Sequence, residues 1–310
     1  MTKQIFTKIE SKAEFGEFPE ERTTEELLKY GIINIDKPKG PTSHQVSDYV
    51  QKIINIKKSG HSGTLDPAVT GVQPVGIGRA TRITQFLLTA PKEYVCIMHL
   101  HQEVAEDILR EGMAKFIGKI KQLPPIKSAV KRELREREIY ELEIIEIKEK
   151  DVLFRVKCQA GTYIRKLCFD IGESLNVGAH MAELRRTQAG PFTEKDNLVT
   201  LNELRDAYYF YKEENNDKFL RYCIQPTENA LRYISKCWIL DNTITSVTNG
   251  RDVGIPGISK LENFRKGETV AVLTLKNELV AIGEALMSAV EINTKEKGLG
   301  IKIKKVFMDA

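Results

Sequence analysis

The chain has 310 residues, 41% hydrophobic and 29% charged, a composition that suits one large globular domain or a catalytic domain with a small module. No stretch approaches the roughly 20 apolar residues that span a membrane, and the N-terminus lacks the apolar core of a signal peptide, so an intracellular protein with no membrane role is expected. The net charge of +4 does not by itself imply a polyanion, and five cysteines without a Cys-x-x-Cys pair imply buried reduced thiols, not a disulfide framework or a zinc site.

Residues 1–30 are polar and Glu-rich, with five Lys/Arg against seven Glu over 1–35, and read as an extension packed outside a core. GIINID at 31–36 is a short apolar strand, and KPKGPTSH is a turn punctuated by two prolines and a glycine. Thr42 or Ser43 caps a helix whose apolar face is Val46, Val50, Ile53 and Ile54. GHSGTLDP at 60–67 follows as a tight polar loop. Its glycines admit close approach of another chain, and Pro67 holds Asp66 away from helical angles. On these residues alone, a catalytic carboxylate and a purely structural turn fit equally well.

A strand over 72–77 and a short helix over 81–88 come next. Residues 93–101 alternate as a strand, with Tyr94, Cys96, Met98 and Leu100 on one face and Val95, Ile97, His99 and His101 on the other. His99 and His101 share a face, but no third ligand stands nearby in the sequence, so a metal site is not expected. An amphipathic helix over 106–118 leads into a basic, proline-broken loop, and residues 115–137 hold eight Lys/Arg against two Glu. Strands at IYELEIIEIKE and 152–158 follow. After the QAGT turn, Thr162 is the expected cap of a helix with the stripe Ile164, Leu167, Cys168, Ile171 and Leu175. Tyr163 and Arg165 project from its first turn, off that stripe. GAHMAELRRTQAGPF reads as a polar turn into a basic segment. Composition shifts near 225–235, and the remainder reads as a compact β-rich module with a basic run, five Lys against one Glu, over 293–305.

DKPKGPTSH at 36–44, GHSGTLDP at 60–67, KEY at 92–94, AGTYIRKL at 160–167 and GAHMAELRRT at 178–187 together resemble the TruB/dyskerin family of pseudouridine synthases. The tail from about Ser235 resembles a PUA domain. The Glu-rich extension and the thumb-like segment QLPPIKSAVKRELREREIYELE resemble the archaeal and eukaryotic branch, the catalytic subunit of H/ACA ribonucleoproteins. The resemblance implies an α+β pseudouridine synthase fold with a mixed, largely antiparallel central sheet plus a C-terminal β-barrel PUA domain. It divides the chain into an N-terminal extension at 1–30 that packs on the PUA domain, a catalytic domain at 31–227 with a thumb-like loop at about 123–140, and a PUA domain at 228–310.

The chemistry implied is isomerisation of uridine to pseudouridine in RNA, which needs no cofactor, metal or cosubstrate. Asp66 matches the family carboxylate that acts on the loosened sugar or base. Arg165 matches the arginine that holds that carboxylate, and Tyr94 the tyrosine that stacks on the extruded base and serves in proton transfer. His61 matches the histidine that takes the flipped nucleotide's space, Tyr163 and Leu184 match pocket walls, and Lys37 either supports the active-site wall or meets phosphate. Lys127, Lys131, Arg132, Arg135 and Arg137 suit phosphate contacts from the thumb. One departure stands out: the family usually has leucine where this chain has Gln73. The implied partners are an H/ACA guide RNA, its substrate RNA (rRNA, with tRNA a further target), and the particle's zinc-ribbon-like, β-barrel and kink-turn-binding proteins, in the cytoplasm if the source is archaeal. The rivals are a stand-alone tRNA T-loop synthase and an RNA-binding scaffold. The intact set Asp66, Tyr94 and Arg165 argues against the scaffold, which needs only basic surfaces.

Overall fold

Apolar alternation and turn residues fold the chain into two separate sheets in the computed structural model, which describes residues 4–123 and 133–308. In chain order the first half runs β1 (Ile5–Thr7), α1 (Thr24–Lys29), β2 (Gly31–Lys37), α2 (Ser43–Ile53), β3 (Ser59–His61), β4 (Thr70–Ile77), α3 (Thr84–Thr89), β5 (Lys92–Leu100), α4 (Glu106–Ala114), β6 (Gly118–Gln122), β7 (Arg135–Lys148) and β8 (Asp151–Cys158). Then come α5 (Ile164–Ser174), β9 (Ala179–Ala189), β10 (Phe192–Thr193), β11 (Leu198–Val199), α6 (Leu201–Glu213), α7 (Lys218–Cys223) and β12 (Ile224–Pro226). The chain ends with β13 (Ser235–Ile239), α8 (Asp241–Thr248), β14 (Val253–Gly254), β15 (Ile258–Glu262), β16 (Thr269–Leu273), β17 (Leu279–Ala285), α9 (Ala289–Thr294) and β18 (Leu299–Val306). No helix among the described residues is long and apolar enough to cross a membrane.

One compact unit is Leu27–Gln225. Its sheet runs β11-β2-β4-β9-β5-β8-β7-β6, with β3 added on β4, β10 on β9 and β12 on β2. Pairing is antiparallel at β2–β4, β5–β8, β5–β9, β6–β7 and β7–β8 and parallel at β4–β9 and β2–β11, so the sheet is mixed and largely antiparallel. Thr42 caps α2, accepting from the Gln45 backbone N–H while the Gln45 side chain accepts from Thr42. That reciprocal cap and the apolar spacing bury Val46, Val50 and Ile54 against Ile33, Ile35, Val75 and Ile77. Each such side chain contributes about 1.5–3 kcal/mol. A second core forms under β5, β7 and β8, where Cys96, Met98, Phe154 and Val156 meet Leu167, Cys168 and Ile171 of α5. All five cysteines are free and buried.

Two local expectations change. Thr162 does not cap α5: its hydroxyl donates back to the Gln159 carbonyl at 2.7 Å, and Tyr163 occupies the cap position with extended backbone. Residues 179–189 are no turn but a central strand, β9, lying between β4 and β5. Bulges in its pairing with β5 at Glu93/Tyr94 and Ile97/Met98 break the alternation, and a buried arginine replaces the apolar residue expected inside.

The other compact unit is Met1–Glu26 with Pro226–Ala310. Its sheet runs β1-β15-β13-β16-β17-β18-β14 around a core that includes Ile239, Val247, Ile258, Val272 and Ile301. β1 pairs antiparallel to β15, with Ile5 opposite Glu262. Lys8 Nζ donates to the Ile292, Asn293 and Lys295 carbonyls at the end of α9, a cation placed at a helix C-terminus.

Candidate active site

The loop after β3 is held from beneath by buried polar groups. β3 fastens to β4 with His61 opposite Val75, and the Ser62 N–H donates to the Pro74 carbonyl at 3.1 Å. Gly63 has φ +133°, and a Cβ there would stand 3.7 Å from Arg186 Nη1 and 3.8 Å from Lys92 Cε. The positive φ, not crowding, is what calls for glycine here, and the loop backbone passes over two buried cations. Beyond it, the Leu65 N–H donates to Ser43 Oγ at 2.7 Å, and the Gly40 N–H donates to the Pro67 carbonyl at 2.9 Å.

Asp66 leaves this loop and pairs through Oδ2 with Arg165 Nη2, on the first turn of α5. The pair is open to solvent, with Arg165 55% and Asp66 54% exposed. Tyr94 stands on β5 opposite Arg186 of β9, so that its phenol lies in the field of that guanidinium. Burial pushes the Tyr94 phenol up, with Arg186 opposing, so it stays protonated at neutral pH.

Arg186 is 1% exposed; its Nε donates to the Val72 carbonyl at 2.7 Å and Nη2 reaches the Gly63 carbonyl at 3.4 Å. Burial pushes its own proton affinity down. Lys92 is also buried and donates to the Leu87, Leu88 and Ala90 carbonyls; burial, then Arg186, brings it down to about 8. Neither residue was singled out from the sequence. The LRRT and KEY motifs contain them, but a buried cation whose partners are carbonyls has no sequence pattern of its own. Their charge biases the site toward anions.

Lys37 is fully buried and donates to the Pro38, Pro67 and Val69 carbonyls at 2.9, 3.2 and 2.8 Å. A phosphate contact for Lys37 is therefore excluded: it clamps the far side of the Asp66 loop, and burial lowers its pKa. His61 is half-buried, its Nδ1 enclosed without a partner among the described residues, and burial, then Arg186, lowers its pKa, favouring the neutral ring. Leu184 lies opposite Cys96 and packs on the same core as Tyr94. The Tyr163 backbone is bracketed by one side chain: its N–H donates to Gln122 Oε1 at 3.0 Å and its carbonyl accepts from Gln122 Nε2 at 3.2 Å. Gln122 ends β6 and is 2% exposed; nothing in QLPP marks it.

Lys127, Lys131 and Arg132 lie outside the described residues. Arg135 is half-buried on β7 opposite Gln122. Arg137 is tied to the backbone on one side: its Nε donates to the Gly161 carbonyl at 3.1 Å and Nη1 to the Glu136 carbonyl at 2.7 Å. It braces the turn that launches α5, because Gly161, at φ +80°, leaves room for the guanidinium. At the far end of β5, His99 bonds Asp151 at 2.6 Å, and His101 bonds His180 at 3.0 Å. The topology brings His180 against His101, but no group of three such side chains among the described residues is placed to hold a metal ion.

Gln73 is fully buried; its Nε2 donates to the Ser43 carbonyl at 3.0 Å, while Oε1 has no partner among the described residues. Ser43 also holds Leu65, the residue before Asp66, so removing either side chain tests the loop's footing. Gln73→Leu trades one bond for relief of a buried orphan acceptor. It should shift stability by less than about 1 kcal/mol, whereas Ser43→Ala strands the Leu65 N–H and should cost about 1–3 kcal/mol. Thermal melts of the two variants check this; equal losses would refute it.

The comparisons with known proteins agree with this geometry. Residues 51–164 match the model of the TruB family pseudouridylate synthase N-terminal domain, and 165–232 that of the tRNA pseudouridylate synthase B C-terminal domain. Residues 235–307 match a PUA domain and 3–47 a DKCLD domain. The chain is by class an RNA pseudouridine synthase. Within that class, it belongs to the TruB/dyskerin family. The probable tRNA pseudouridine synthase B of Methanothermobacter thermautotrophicus is 53% identical over 96% of this chain and 91% of its own. The crystal structure of a Cbf5-Nop10-Gar1 complex matches with a TM-score of 0.95 at 48% identity, over 100% of this chain and 95% of that one. An H/ACA ribonucleoprotein bound to a substrate RNA containing 2'-deoxyuridine matches with a TM-score of 0.93 at 46% identity, over 99% of this chain and 95% of that one.

Proposed function

We propose that the protein isomerises uridine to pseudouridine in RNA chosen by an H/ACA guide RNA, with Asp66 as the reacting carboxylate. The observation that carries this is the Asp66–Arg165 pair held on a braced loop, with Tyr94 seated on the adjoining strands. In the reaction the C1′–N1 bond breaks, the freed base turns, and a C1′–C5 bond forms. The C5 proton leaves and N1 takes one up, so no electrons are gained or lost. Arg165 holds the carboxylate in place and aims it. The protonated Tyr94 phenol, with Leu184 and Tyr163, receives the extruded base, and a neutral His61 yields space to it without adding charge.

The same reading assigns the guide RNA's ACA end to residues 228–310, with the extension 1–30 packed on that module. Small particle proteins like those named with the Cbf5 structures, Nop10 and Gar1, assemble on it inside the cell. The name of the Methanothermobacter relative, probable tRNA pseudouridine synthase B, favours a second reading, an unguided tRNA synthase. Reconstitution separates them: a guide–substrate pair with partner proteins, and bare tRNA, are each scored for pseudouridine. Product on the guided uridine is expected. Product on tRNA alone would replace the guided reading with the second.

A further inference from the structure

Three helices of this chain are started by their own neighbours. α2, α6 and α9 each carry a reciprocal capping box, Thr42 with Gln45, Thr200 with Glu203 and Ser288 with Glu291. α5, which carries Arg165, has none. Tyr163 holds its cap position with an extended backbone and no side-chain cap, and the Thr162 hydroxyl is turned back to Gln159. The groups that hold this start come instead from the β6–β7 hairpin.

Gln122, the last residue of β6, supplies the main grip. An extended residue points its N–H and its carbonyl to the same side, and a primary amide offers one acceptor and one donor in a single plane to match. Gln122 uses both on Tyr163, at 3.0 and 3.2 Å, although the two stand 41 residues apart in the chain. The Tyr163 carbonyl also accepts from the Leu167 N–H at 3.0 Å, the bond that closes the first turn of α5. One carbonyl therefore joins the hairpin to the helical turn that holds Arg165. Gln122 is buried, so water does not stand in for it when it is removed. β7 adds two contacts just before the turn. The Gln159 N–H donates to the Glu138 carbonyl at 2.8 Å, and Arg137 Nε donates to the Gly161 carbonyl.

We propose that Gln122 is a positioning residue of the reaction: it sets the start of α5 and, through it, aims the Arg165 guanidinium at Asp66. The inference rests on the reading of Asp66 and Arg165 as the reacting pair. The Arg165 side chain is more than half exposed, so its aim depends on where the backbone of the first turn stands. Its length carries a small rotation of that turn into a larger displacement at the guanidinium.

The test is a double-mutant cycle in the assembled particle with Gln122→Met, Arg165→Met and the two together, read as single-turnover rates at saturating RNA. Gln122→Met should bind substrate RNA within about twofold of wild type and react about a hundredfold more slowly, the scale of an ångström misplacement. In the Arg165→Met background the same change should slow the reaction by less than about threefold, because no guanidinium is left to aim. Losses that multiply in the double variant would overturn the proposal, since Gln122 would then act apart from Arg165. Weaker RNA binding at an unchanged saturated rate would overturn it too. Gln122→Asn keeps both polar ends one methylene short, and it repeats the cycle if methionine unfolds the protein; it should lose rate only where Arg165 is present. Amide exchange at the start of α5 should quicken in the Gln122 variants, and unchanged exchange there would refute the brace without reference to activity. An active Asp66→Asn protein would refute the reading of Asp66, while the cycle would still decide whether Gln122 works through Arg165.

Discussion

Asp66→Asn binds RNA as the wild type does and forms no pseudouridine, with the single-turnover rate down by about four orders of magnitude or more. The substitution keeps the size and the loop contacts of the side chain. Leu65 still donates to Ser43 Oγ, and Lys37 still clamps the Pro67 and Val69 carbonyls. What disappears is the anion, together with the charged half of its pair with Arg165. Because both side chains are about half exposed, the loss is chemical and the melting point should hardly move. Gel-shift affinity, a melt and a rapid-quench assay on one guided substrate suffice. Residual activity within tenfold of wild type would remove Asp66 from the mechanism.

Arg186→Met has the opposite signature, a fold defect that spreads into catalysis. Methionine fills most of the volume but donates nothing, so the Val72 and Gly63 carbonyls lose their shared donor. Each buried orphan costs about 1–3 kcal/mol. Release of a guanidinium that was costly to bury offsets part of this. A net loss of about 2–4 kcal/mol lowers the melting temperature of a unit this size by roughly 5–15 °C. The Gly63 carbonyl belongs to the Asp66 loop, so below the melting point the variant should also lose about a hundredfold in rate, the scale of an ångström misplacement. Arg165→Met is the control: from its exposed site it should slow the reaction and leave the melt in place. If Arg186→Met melts like wild type, the buried arginine is not the loop's support.

The contrast between these two arginines explains which parts of the site were legible. Arg165 stands off the apolar stripe of α5, and helical spacing alone says that it points away from the core. Arg186 sits in a run that reads as a polar turn leading into a basic segment. Only the insertion of β9 between β4 and β5 reveals it as an interior residue. Lys37 shows the same limit from the other side. Its motif was visible, but its burial under the loop was not, because the three carbonyls that hold it come from chain segments up to 32 residues away.

The sequence by itself determined the parts governed by local periodicity and by motif. These are the capped helix at 43–53, the alternating strand that carries Tyr94, the loop that offers Asp66, and the β-rich character of the last 75 or so residues. Neighbouring residues set those features, since helix caps, strand alternation and proline-restricted turns act over a few positions. The tertiary structure decided what depends on burial and on contacts distant in sequence. It joined Asp66 to Arg165, put Arg186 beneath Gly63, and turned Arg137 onto the Gly161 carbonyl. Desolvation and hydrogen-bond partnership belong to places in the fold and not to residue types, so no local pattern in the chain announces them.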